Sequence, residues 1–155
     1  MMCAAMRAIK VTVLPPTEQG RLYPRYDIEA QILEVSSRVP RSWPFGIDID
    51  GCIIFDIDSD FRLANFDLLI PRRLWRIDPT VAWQLPTTAG DLQISRTSIR
   101  HKSFHLPLRV RTNSDRTVVV IRFSISPYSP VEIALSDQCT AQLTGQRLDG
   151  FVVVL

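Results

Sequence analysis

The chain repeats itself faintly, and that repetition limits the folds open to it. The segment Arg62-Leu63-Ala64-Asn65-Phe66-Asp67-Leu68-Leu69-Ile70 reads again as Arg147-Leu148-Asp149-Gly150-Phe151-Val152-Val153-Val154-Leu155. Upstream, Ile32, Val35, Ile47, Ile49 and Ile57 fall opposite Val118, Ile121, Ile133, Leu135 and Leu143, all at one offset of 86 residues. Repeats of this length mark one supersecondary unit used twice, so that two open apolar faces cover each other. At 155 residues the chain suits one domain, long enough to bury about two thirds of the surface its unfolded form exposes.

Inside each unit the local pattern is strand. Ile9, Val11 and Val13 alternate up to Pro15-Pro16, a period of two that a half-buried strand produces. Asp27 to Val35, Ile47 to Asp50, Ile53 to Asp58 and Phe66 to Ile70 read as further strands, divided by the turn signals Asp50-Gly51 and Ser59-Asp60-Phe61-Arg62. Eleven prolines and six glycines favour short elements and rigid turns over long helices. After Pro71 a single helical turn is predicted, then short strands over Val81–Leu85 and Asp91–Ser95. The run Ile99 to Val110 looks extended, with a half-buried strand at Phe104–Arg111 whose Pro107 marks an edge or a bulge. Thr117–Ile125 is the longest β signal. Val131–Leu135, Thr140–Leu143 and Phe151–Leu155 then repeat the first pattern. The expected fold is mainly β, with a strand-rich α+β fold as the alternative. Two similar antiparallel meanders, 26–70 and 112–155, are joined by 71–111 within a single domain, 1–155. An exposed edge at Val118–Ile121 would let two chains pair, and the oligomeric state is otherwise open.

Tyr26-Asp27-Ile28-Glu29-Ala30-Gln31-Ile32-Leu33 and Asp56-Ile57-Asp58-Ser59-Asp60-Phe61-Arg62-Leu63-Ala64-Asn65-Phe66-Asp67-Leu68-Leu69 carry a further signal. Residues 26–70 resemble a small bacterial domain family of unknown function. Its pattern opens with Tyr-Asp-x-Glu-Ala-Asp-x-Leu-Tyr-Ile and closes with Gly-Arg-Leu-x-Gly-Ile-Glu-Ile-Leu. Gln31 stands where that pattern has Asp, Phe61 where it has the turn Gly, and Asn65 where it has the second Gly. The match covers about a third of the chain, and Arg147-Leu148-Asp149-Gly150-Phe151 keeps part of it. The resemblance brings no catalytic residues. It implies an interaction module and, because some members are paired with toxin-like proteins, an antitoxin or immunity role.

The net charge of +2 hides a segregation. Residues 26–70 hold nine acids against Arg38, Arg41 and Arg62, whereas 71–111 hold eight bases against Asp78 and Asp91. One reading packs the basic middle across the acidic repeat. The other presents a basic face to an acidic partner, protein or nucleic acid. Most of the bases are Arg, which suits bidentate carboxylate or phosphate contacts. Trp43, Phe45, Trp75 and Trp83 lie near prolines or arginines. With Arg41, Arg72, Arg73 and Arg76 they have the composition of an interface hot spot, or else they cap the open ends of the β layers.

Constellations for chemistry are few. Asp56, Asp58 and Asp60 have the spacing of a calcium loop, yet Phe61 occupies the position that needs Gly and Asp67 the one that needs Glu; a turn after an alternating strand explains them. His101 and His105 would align on a helix, but an extended run holds them about 13 Å apart. There is no G-x-S-x-G elbow, P-loop or dinucleotide fingerprint. No metal and no cofactor are expected. Three widely spaced cysteines point to reduced thiols in a cytoplasm, Cys52 and Cys139 acting as buried small hydrophobes. Met1 to Arg7 lacks the apolar core of a signal peptide, and no apolar run approaches the ~20 residues of a membrane span. The expected protein is therefore a cytoplasmic, non-enzymatic module that binds another protein, such as a toxin, through Arg41, Trp43, Arg72, Arg73, Trp75, Arg76 and Trp83. The alternatives are nucleic-acid binding through Arg72, Arg73, Arg76, Arg96, Arg100, Lys102, Arg109 and Arg111, or a small hydrolase without a recognisable motif.

Overall fold

The period-two alternation becomes strand almost wherever it is clear. The computed structural model describes residues 8–40, 42–123 and 130–155. Its first half holds β1 (Val11–Leu14), β2 (Leu22–Asp27), β3 (Ile32–Ser37), β4 (Phe45–Ile49), β5 (Ile53–Ile57) and β6 (Leu63–Leu69). A 3-10 turn at Arg72–Leu74 follows Pro71, and then come β7 (Arg76–Ile77), β8 (Asp91–Ile94), helix α1 (Arg96–His101) and β9 (Ser103–Phe104). The second half holds β10 (Arg109–Thr112), β11 (Val118–Arg122), β12 (Val131–Ser136), β13 (Cys139–Thr144) and β14 (Arg147–Val154). The fold is mainly β. No helix among the described residues is long and apolar enough to cross a membrane.

Two six-stranded sheets share one five-strand order, β2-β3-β6-β5-β4 and β10-β11-β14-β13-β12, with β9 added beyond β4 in the first and β7 beyond β10 in the second. In each, a three-strand meander is completed by an earlier strand that lies beside its last member, the arrangement of a Greek key. The registers coincide as well. Val35 opposite Phe66 and Phe55 opposite Phe66 answer to Ile121 opposite Phe151 and Ala141 opposite Phe151. Both sheets slip register at the same place, between Asp56 and Ile57 and between Gln142 and Leu143. β11 lies between β10 and β14, so Val118–Ile121 is no edge and is not where two chains could pair; its backbone groups are already taken.

The inner faces meet around phenylalanines. Phe66 and Phe151 stack at 4.2 Å, and Phe55 stands edge-on to Phe66, Phe123 and Phe151. All four are fully buried. One end of both sheets is closed by the antiparallel pair β1–β8. Val11 donates to the carbonyl of Gln146 and Leu148 to that of Ile9, while Ile94 donates to that of Phe61. β8 opens with Asp91, which pairs with Leu14 and is only 1% exposed. Its carboxylate accepts from Thr17 Oγ1 at 2.5 Å and from Arg62 Nη1 at 2.7 Å, with Arg21 Nη2 at 3.3 Å.

Three local expectations give way. The strand expected over Phe104–Arg111 is broken at 105–108: Phe104 ends β9 in the first sheet and Arg109 opens β10 in the second. Residues 96–101 are helical because Ser95 caps the start, accepting from the Ser98 amide; such a cap satisfies a free donor and outweighs a short apolar alternation. Val81–Leu85 lies flat on a sheet without joining its ladder. Phe61 takes the left-handed backbone, φ 65°, where the family pattern has Gly. A bulky residue adopts it at a cost, offset here by stacking on Phe45 and by the Arg96 guanidinium over its ring.

Candidate functional site

Because alternation commits one face of each sheet to the core, the side chains free for other work lie on the two outer faces. On the first sheet the outward positions carry Glu34, Asp56, Asn65 and Asp67, with the loop residues Pro40 and Trp43 beside them around a hollow of about 370 Å3. The register slip at Asp56 re-aims the strand there, as bulges do. Asn65 Nδ2 donates to Asp56 Oδ2 at 2.8 Å and to Asp67 Oδ2 at 3.4 Å. Asp67 Oδ1 is buried without a partner among the described residues. Exposed Ile54 and Leu69 add apolar surface to the same face.

Loss of hydration raises the Asp67 carboxyl, reinforced by the charges of Glu34 and Asp56 and opposed by the Asn65 hydrogen bond. A native pKa above the unfolded one means that ionised Asp67 weakens the fold at neutral pH. That cost disappears as pH falls through the raised value toward the ordinary carboxylate range. Asp67→Asn is therefore expected to raise Tm at pH 7 and to lose its advantage once both states are protonated. Thermal melts across that range check this; an increment that does not change with pH would contradict it.

The matching face of the second sheet is covered. Val118, Val120 and Val152 lie beneath Val81 and Trp83. The covering segment is anchored at Asp78, whose amide donates to the Thr112 carbonyl and whose carboxylate meets Arg111 Nη1 at 2.8 Å. Hydrogen bonds from the Thr80 hydroxyl and amide, then Arg111, hold the Asp78 carboxyl down to about 2, so it is ionised at neutral pH. Between segment and sheet is a hollow of about 330 Å3 that reaches Trp83, Arg111, Glu132, Thr140 and Gln142. Gln142 Nε2 donates to Glu132 Oε2 at 3.3 Å. Thr140 Oγ1 and Gln142 Oε1 are buried with no hydrogen-bond partner among the described residues.

Along the β7–β10–β11 side of this face, arginines oppose one another directly, Arg76 with Arg111 and Arg109 with Arg122. Like charges at such positions repel, and among them Asp78 neutralises Arg111.

The residues expected to form one interface are dispersed. Arg41 lies outside the described residues. Trp43 is 48% exposed and borders the acidic hollow. Arg72 and Arg73 project from the 3-10 turn and Arg76 from β7, all exposed. Trp83 is half-buried on the second sheet. Trp75 is 2% exposed and packs edge-on to Tyr26, so it is a core residue, unable to meet a partner. The acids on the first sheet, Glu34, Asp56 and Asp67, did not read as one site in the sequence because they belong to different strands; the strand register brings them together.

Other candidates resolve into structure. Asp58 Oδ1 accepts from the Asp60 and Arg62 amides, which makes it a turn residue. His105 Nδ1 lies 2.8 Å from Asp50, whereas His101 packs against Phe104 at the end of α1. Among the described residues no three His, Cys, Asp or Glu side chains converge to hold a metal. Burial pushes the Cys139 thiol far above its ordinary range, which leaves it an inert hydrophobe. The basic middle does not lie across the acidic repeat as a block: among the described residues the Arg–carboxylate pair between them is Arg62–Asp91, with the base on the acidic repeat, while His105 Nδ1 shares a hydrogen bond with Asp50. No family model matches the chain, and no curated protein matches it.

Proposed function

We propose that the chain is a non-enzymatic protein-binding module whose first sheet receives an extended, basic segment of its partner across Glu34, Asp56 and Asp67, with Trp43 at the rim. The supporting observation is the contrast between the two outer faces. Five strands of each sheet share one order, yet one face is covered at Val81 and Trp83 and the other is open among the described residues. The open face is acidic, with a crowded carboxylate that a cation would relieve, and complementary charge both steers and selects partners.

The test titrates the whole chain with a fluorescein-labelled peptide of alternating Lys and Val, read by anisotropy, against a Glu/Val control. Glu34→Gln/Asp56→Asn/Asp67→Asn is expected to weaken binding by about tenfold or more while the fold survives, since surface charge changes cost little. Equal binding by the variant, or by the acidic peptide, would overturn the reading. The finer form, inhibition of a toxin-like protein, follows the family resemblance; an adjacent toxin-like reading frame whose product binds this face would support it.

The opposed arginines favour a second reading, nucleic-acid binding across Arg76, Arg109, Arg111 and Arg122. Neutralising phosphates releases counterions, so affinity would fall steeply with salt. Absence of binding to DNA or RNA at low salt would remove that reading.

A further inference from the structure

The hollow under residues 78–85 carries a chemical demand of its own. Thr140 is 1% exposed and Gln142 8%, and both line this space, while Thr140 Oγ1 and Gln142 Oε1 lack a partner among the described residues. Buried polar groups are almost always satisfied, and an exception calls for an unseen occupant. The Gln142 amide nitrogen is already directed at Glu132, so the free atom of Gln142 is an acceptor, and a hydroxyl accepts as readily as it donates. The occupant must therefore supply donors.

Charge narrows the choice further. Of the two acidic or basic side chains on the lining, Arg111 pairs with Asp78 at 2.8 Å, which leaves the Glu132 carboxylate without an ion-pair partner among the described residues. Trp83 contributes an aromatic ring on the segment side, and ring faces attract cations. Acceptors, a carboxylate and an indole around about 330 Å3 fit a small cationic head.

We propose that this hollow is a binding site for a single ammonium or guanidinium group, held by Gln142 Oε1, Thr140 Oγ1 and Glu132 with Trp83 alongside. The group could belong to a free small amine or to a basic side chain of a peptide; the chemistry is shared and the test separates the sources. The site is distinct from the acidic face of the first sheet, and neither depends on the other.

The test follows the Gln142 side-chain amide resonances of the whole protein by NMR during titration with methylguanidinium, methylammonium and, as a neutral donor, acetamide, at constant ionic strength. Saturable shifts with a cation, weakened about tenfold in Glu132→Gln, are expected. Glu132 is exposed, so that variant keeps its fold; Trp83→Phe is the second variant, expected to weaken the cations more than acetamide. Tighter binding of N-acetylarginine N-methylamide than of methylguanidinium identifies a peptide side chain as the source, and weaker binding a free small cation. The absence of saturable shifts, with water alone filling the space, would overturn the proposal. So would equal binding of acetamide, or cation binding that is unchanged in Glu132→Gln.

Discussion

Phe151→Ala is expected to lower the unfolding free energy by about 3–5 kcal/mol, the range for emptying a fully buried aromatic site. Phe151 stacks on Phe66 at 4.2 Å and contacts Phe55 and Phe123, so the cavity would open where the two sheets meet. Small rearrangements cannot close it, because its walls are strands fixed by pairing on both sides. Against a total stability of about 5–15 kcal/mol, this variant would be marginal at 37 °C. Chemical denaturation read by circular dichroism measures the loss, with Leu74→Ala, at an exposed position, as a control expected within about 0.5 kcal/mol. A loss below about 1 kcal/mol would mean that the sheets do not pack through this stack. In a double-mutant cycle with Phe66→Ala the two changes should be non-additive, since the rings share one contact.

Asp91→Ala is expected to cost a comparable amount, about 3–5 kcal/mol, for a different reason. The carboxylate receives Arg62, Arg21 and the Thr17 hydroxyl while being almost fully buried, and removal of one partner from such a cluster strands the opposite charge. The loss would also loosen the loop at Thr17, which Asp91 ties to β8. Gly20 sharpens the test, because a Cβ there would lie 2.0 Å from the Asp91 carboxylate. Gly20→Ala should therefore displace the same group, and the double variant should cost much less than the sum of the two. Full additivity would indicate that Gly20 matters through its backbone alone.

Much of the architecture was legible because burial alternates with period two, and that alternation survives as Ile47/Ile49, Ile53/Phe55/Ile57 and Phe66/Leu68 on the inner face. Of the pairs at the 86-residue offset, Ile32, Val35, Ile47 and Ile57 occupy the same ladder positions as Val118, Ile121, Ile133 and Leu143, whereas Leu135 falls at a register shift and has no ladder partner where Ile49 faces Ile53. Three things were hidden, each set by non-local contacts. Trp75 reads as a surface aromatic beside arginines, yet Tyr26 receives it in the core. Val81 and Trp83 resemble a strand, but they satisfy their apolar character by lying on Val118, Val120 and Val152. The acids of the open face are spread over three strands, and only the pairing of Glu34 with Asp67, and of Asp56 with Asn65, makes them neighbours. Arginine content drew attention to 71–111, while the strongest contrast in the molecule lies between two sheet faces.

The bonds that join Ile9 and Val11 to Leu148 and Gln146 bear on how the protein is made. A ribosome releases β1 well before β14, so the end closure of the sandwich must wait for synthesis to reach residue 148. Until then β11 lacks its inner neighbour, and Val119 and Ile121 face water. Long-range pairing of this kind folds slowly and exposes apolar strand while it is incomplete. Nascent chains stalled before β14 are thus expected to be protease-sensitive and to hold chaperones, whereas chains extended past it by a linker long enough to clear the exit tunnel become resistant in a single step.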